Sequence, residues 1–179
     1  MLRLEDLNAP GIRAAMLTEI QADKERNILY ISGRLSPRGV RDYPDLLKEA
    51  ASEHDDSWLS QQLAQHGRLN EMEEYRTKNG TFMRKVSRNA SETLAEGEFN
   101  RFYIRGLCVA ALSATTDSEL EVYRAKEVSN PRPESERLIG TRVRATQLLA
   151  DLRQNIALDT VLGVPAGPNS GLSIRSIRA

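Results

Sequence analysis

Glu98-Phe99-Asn100-Arg101-Phe102-Tyr103-Ile104-Arg105-Gly106-Leu107-Cys108-Val109-Ala110-Ala111-Leu112-Ser113-Ala114 is the most apolar stretch of the chain, and its reading decides the fold class. Phe99, Phe102, Tyr103, Ile104, Leu107, Val109 and Leu112 recur at helical spacing, so the stretch predicts a central buried helix. Asn89 and Ser91 upstream are residues whose side chains accept from the free N–H groups of a first helical turn. A second helix follows from Ala145, Leu148, Leu149, Leu152 and Ile156, which trace a single apolar stripe.

Outward from this core the pattern changes several times. Asn8 and Pro10 mark a helix start, and Ile12, Met16 and Ile20 carry an amphipathic helix to Asn27. Ile28 to Ser32 reads as a short strand or extended arm, and Ser36-Pro37-Arg38-Gly39 as a turn. Two short helices are expected between Tyr43 and Gly67. One begins at Pro44 and carries Leu46 and Leu47; the other carries Trp58, Leu59 and Leu63. Asn79-Gly80 is the favoured pair for a two-residue hairpin turn. Pairing across it places Tyr75, Thr77, Phe82 and Val86 on one face and Arg76, Lys78 and Lys85 on the other.

Glu119 to Val128 alternates as a strand does, and Asn130-Pro131-Arg132-Pro133 should break regular structure. After Leu162 the Pro- and Gly-rich run Gly163 to Gly171 leads into Leu172 to Ala179, where apolar and polar residues alternate. The expected architecture is mainly α with some β (α+β): a helical core over residues 1–162 with a hairpin near 71–86, and an extended C-terminal arm over 163–179. Such an arm suits docking on a neighbour by strand addition.

Composition bounds function more than it assigns it. Lys plus Arg total 25 and Asp plus Glu total 25, so no global field draws the chain onto nucleic acid or an anionic membrane. No apolar run approaches the roughly 20 residues that span a bilayer, and Met1 to Glu5 lacks the apolar core of a signal peptide. Synthesis in the cytoplasm is the expectation. The single cysteine, Cys108, excludes an intramolecular disulfide and a cysteine-based metal cage.

Candidate chemistry is sparse. Cys108 sits among Leu107, Val109 and Ala110, where burial would make a thiol inert. His54 and His66 fall near helix ends. The carboxylates Glu71, Glu73, Glu74, Asp55 and Asp56 point in different directions and read as a solvated face. Gly163 to Gly171 matches no phosphate-binding pattern. Phe99, Phe102 and Tyr103 have the spacing of core residues rather than of a stacking platform. Arg132, Arg137, Arg142 and Arg144 form a local basic group interleaved with Glu134 and Glu136, which favours local salt bridges over phosphate contacts. The sequence therefore reads as no enzyme, with no cofactor and no metal site.

Three stretches look alike to a known class: Leu94 to Cys108, Leu120 to Ala125, and Pro165 to Ser173. In them the chain resembles small structural proteins encoded in the head gene clusters of tailed bacteriophages and prophages. Residues 1 to 88 carry a weaker likeness. The resemblance implies a virion component, a head-to-tail connector (adaptor) or another head-associated protein, acting through protein–protein interfaces. It implies a homo-oligomer, ring or lattice, with portal, capsid or tail proteins as partners and the virion as its destination. The expected contact residues are Tyr75, Phe82, Leu172, Ile174, Arg175, Ile177 and Arg178. The alternative is an accessory protein that binds nucleic acid through the Arg132 to Arg144 group.

Overall fold

The computed structural model describes residues 1–65, 67–78, 80–114, 118–156, 160–165 and 170–177. Among these the chain forms six helices and two small antiparallel sheets, an α+β fold. Helix α4, Ala90–Ala114, runs through the centre, with Phe99, Phe102, Tyr103, Ile104 and Cys108 all buried. It starts where Asn89 stands, whose carbonyl accepts the Thr93 N–H at 2.8 Å. Three helices cover it. Helix α1, Ile12–Glu25, contributes Ile12, Met16 and Ile20; α3, Asp56–Ala64, contributes Leu59 and Leu63; α6, Ala145–Gln154, contributes Ala145, Leu148 and Leu152. Gly106 sets how near α1 comes. A Cβ at that position would lie 2.8 Å from Met16 Cγ and 3.1 Å from the Ile12 carbonyl oxygen.

Helix α2, Pro37–Glu53, corrects two expectations. Ser36-Pro37-Arg38-Gly39 is a helix start rather than a turn: Ser36 Oγ accepts from Gly39 N at 3.1 Å and Pro37 fills the first helical position. Pro44 lies inside the helix instead of opening it. The stretch from Ile28 to Ser32 forms no strand and leads only to an isolated bridge between Leu35 and Leu69.

The first sheet is the hairpin of β1, Met72–Thr77, and β2, Gly80–Lys85. Tyr75 pairs with Phe82 and Thr77 with Gly80, so Lys78 and Asn79 stand between the strands, and Asn79 is outside the described residues. Gly80 is thus the first residue of β2, at φ +132°, and not a turn position. The register differs from expectation by two residues, an even shift, so Tyr75, Thr77 and Phe82 still share a face.

The second sheet has order β4-β3-β5, with β3, Glu119–Arg124, in the middle, β4, Arg142–Arg144, on one side and β5, Leu172–Ser176, on the other. Strand β3 ends earlier than the expected Val128. Asn130 to Arg132 carry no regular structure, as expected, whereas Pro133 opens the short helix α5, Pro133–Leu138.

The end of the chain is the largest correction. Residues 172–176 are no projecting arm; they pair with β3 in the same chain, Val122 opposite Ile174, and bury Leu172 and Ile174 completely. Helix α4 receives the strand through polar groups. Asn100 Nδ2 donates to the Leu172 carbonyl at 2.8 Å, Ser173 Oγ donates to Asn100 Oδ1 at 2.6 Å, and Tyr103 Oη donates to the Ile174 carbonyl at 3.1 Å.

Candidate functional site: a cleft beneath the hairpin

A cleft of about 760 Å³ opens between the base of the hairpin, the 30–34 segment and the first half of α4. Its floor is one face of α4, Ala90, Thr93, Leu94, Gly97, Glu98 and Arg101. The opposite wall is Met72, Glu73, Glu74 and Met83 of the hairpin. Small residues at 90, 93 and 97 leave the helix backbone nearly bare, which is why the space exists. The volume lies within the range that encloses ligands or inserted side chains.

Two charged side chains sit at the deep end. Glu98 is 6% exposed, and Arg101 Nε approaches its Oε1 at 3.6 Å. Arg101 also donates to the Asn155 carbonyl at 2.8 Å, where the end of α6 leaves carbonyls without intrahelical partners. Burial pushes the Glu98 carboxyl up from 4.5 to about 7, against the opposing pull of the Arg101 and Arg105 guanidiniums. Tyr43, wholly buried nearby, has a hydroxyl with no hydrogen-bond partner among the described residues, and burial raises its pKa well above the ordinary value.

Behind the cleft, α4 continues this polar stripe into the core. Arg105, 1% exposed, grips Asp23 with both terminal nitrogens at 2.6 and 2.9 Å and reaches Glu19 through Nε at 2.8 Å. Arg153 of α6 closes the set on Glu19 at 3.0 Å. Glu98, Arg101 and Arg105 fall at i, i+3 and i+7, so one helical face delivers all three. Three carboxylates face three guanidiniums here, which lets Glu19, Asp23 and Arg105 remain buried while Arg153 reaches solvent. The sequence reading missed these residues. Their signal was the interruption of the most apolar stretch by charges at helical spacing.

At the mouth, Glu73 bridges two arginines and fixes the hairpin base. Arg34 Nε donates to Oε2 at 2.6 Å and Arg84 Nε to Oε1 at 2.8 Å; the bond from Arg34 leads in holding this carboxyl below the usual range. Arg84 also lies over the Tyr75 ring at 4.2 Å. Neither Glu73 nor Asp56 belongs to a solvated face as expected. Asp56 is buried and accepts the Leu2 N–H at 3.0 Å, while Asp55 caps α3 by accepting from Trp58 N at 2.9 Å.

The other sequence candidates scatter. Burial pushes the Cys108 thiol up to about 12, inside the core. His54 stacks on Trp58 with ring centroids 4.3 Å apart, and His66 lies outside the described residues. Within the Arg132 to Arg144 group, Arg142 approaches Glu119 at 3.9 Å, while Glu136 is taken by Arg124. Of the expected contact residues, Tyr75 and Phe82 are exposed on the hairpin. Leu172 and Ile174 are core residues of their own chain and cannot anchor a neighbour. Arg175 pairs with Glu121 at 3.0 Å and Glu5 at 2.8 Å, Ile177 is half-buried, and Arg178 is outside the described residues.

Among the described residues no helix is long and apolar enough to cross a membrane. Comparison with protein-family models, with curated proteins and with solved structures finds no match for this chain.

Proposed function

We propose that the protein is an assembly subunit that works through protein–protein interfaces and carries out no reaction. Its finer identity in this reading is a tailed-phage virion protein, a head-to-tail connector or another head-associated component. One observation supports it above the rest. The hairpin exposes Met72 at 40% and Met83 at 60% on one face, and Tyr75 at 45% and Phe82 at 54% on the other. A two-stranded ribbon bare on both faces gains little from its own packing. Large apolar side chains gathered on such a ribbon mark a surface that another protein covers.

The test is light scattering on the full chain, alone and mixed with the head proteins of the same gene cluster. A defined ring or a stoichiometric complex is expected. Phe82→Ser with Met83→Ser should abolish it while changing folding stability by no more than about 0.5 kcal/mol, as for other exposed positions. If the double variant assembles as the parent does, the hairpin is not the interface. A chain that stays monomeric and ignores those proteins overturns the assembly reading, and DNA binding through the Arg132 to Arg144 group becomes the next assay.

A further inference from the structure

From Tyr75 to Ser91 the chain holds five cations, Arg76, Lys78, Arg84, Lys85 and Arg88, and no acid; no other acid-free stretch carries as many, although the chain as a whole is neutral. All five are exposed. Arg84 is engaged by Glu73, but Arg76, Lys78, Lys85 and Arg88 have no carboxylate within ion-pair distance among the described residues. The two faces of the ribbon differ. Met72, Glu74 and Met83 share the face that walls the cleft, together with Arg76 and Lys85. On the other face Tyr75 stands directly opposite Phe82, both exposed. The acid of that face, Glu73, is held by Arg34 and Arg84, and Arg84 lies over the Tyr75 ring at 4.2 Å. Glu71 and Glu74, the hairpin carboxylates without a cation partner among the described residues, lie at the base, and Glu74 is on the cleft face.

Two exposed rings side by side, among cations and with no unneutralised acid on their own face, are what a single strand needs: bases stack on rings whatever their identity, and phosphates follow the cations. We propose that the face of the hairpin carrying Tyr75 and Phe82 binds single-stranded nucleic acid, with bases against the two rings and the backbone along Arg84, Lys78 and Arg76. Arg76 and Lys85 rise from the opposite face, but the backbone of one ribbon is thinner than the screening length of roughly 8 Å at physiological salt, so their charge reaches both sides. A duplex keeps its base faces in the stack and offers this surface only phosphates. The methionine face stays open to a protein partner, so the two uses of the hairpin are independent.

The experiment is fluorescence anisotropy of a labelled oligothymidylate of about 20 nucleotides, titrated with the full chain at several salt concentrations. The parent is expected to bind, with log K falling against log salt at a slope near −3 for roughly four phosphate contacts. Arg76→Gln with Lys78→Gln should flatten that slope by about 1.4. Tyr75→Leu with Phe82→Leu keeps an apolar surface but removes both stacking faces, and should weaken binding by about fivefold or more without changing the slope. Phe82→Leu alone serves if the pair disturbs the hairpin. A duplex of the same length should bind more weakly than the single strand. A parent that does not bind overturns the proposal, as do leucine variants that bind as tightly as the parent or a duplex that binds at least as well. Binding lost through Arg132→Glu with Arg137→Glu, but kept by the hairpin variants, overturns it too. A parent that binds the oligonucleotide yet stays monomeric and ignores the head proteins supports the strand site and sinks the assembly reading alone.

Discussion

Replacing Glu98 with glutamine should stabilise the protein at alkaline pH and leave it nearly unchanged in acid. The folded carboxyl titrates near 7 and the ordinary value is 4.5, so the folded state holds the proton more tightly than the unfolded state does. Between those two values the folded chain binds more protons, and stability therefore falls as pH rises from about 4.5 to about 7. The full cost above that window follows from the difference between the two values at about 1.4 kcal/mol per unit, roughly 3 kcal/mol. Glutamine has the shape of the protonated acid and no proton to lose. Urea unfolding of parent and Glu98→Gln should coincide within about 0.5 kcal/mol at pH 4, below both values. At pH 8 the variant's midpoint should lie higher by about 1.5 M, for a slope of about 2 kcal/mol per M. A variant equally or less stable than the parent at pH 8 would mean that the Arg101 ion pair outweighs burial, and the reasoning would fail.

Further outcomes follow from the core. Arg105→Met leaves Asp23 and Glu19 buried with fewer cations, and thermal unfolding should show a loss of about 3–5 kcal/mol; Arg105→Lys should restore little, because an ammonium cannot hold Asp23 with two parallel bonds. Gly106→Ala pushes a methyl group against Met16 and the Ile12 carbonyl, and should cost about 1–3 kcal/mol in chemical denaturation with no change in oligomeric state. A chain ending at Gly163 loses β5 and the burial of Leu172 and Ile174, about 1.5–3 kcal/mol for each side chain, so it should bind a hydrophobic dye and lose its cooperative transition. A truncated chain that unfolds like the parent would show that the strand is dispensable.

Much of the core was legible because its signals are local. The apolar periodicities of α4, α1 and α6 need only neighbours in sequence to be seen, and the hairpin kept its faces although its turn moved. The failures have distinct physical origins. Ser36-Pro37-Arg38-Gly39 looks alike as a type I turn or as a first helical turn, since both use the same backbone angles, and only what Tyr43 and Leu47 can bury decides between them. Pro44 blocks a single hydrogen bond, which the packing of Tyr43, Leu47 and Ala50 outweighs. The alternation of β5 is visible locally, but its partner is not, because β3 lies some fifty residues upstream. The cleft was hidden for a related reason. Glu98 and Arg101 read as ordinary helix charges until α6, the hairpin and the 30–34 segment close around them.

The pairing of β5 with β3 bears on how the chain comes off the ribosome. Helices α1 to α4 and strand β3 leave the exit tunnel long before Leu172, yet Leu120 and Val122 wait for Ile174 to cover them. Until then β3 offers an open edge and an apolar face to whatever is close by. Completion of the core therefore waits for Leu172 to Ser176, and until they emerge neighbouring nascent chains compete for the same strand edge. Crowded polysomes should favour strand exchange between copies, whereas emergence of Leu172 to Ser176 lets the intramolecular strand win by its proximity.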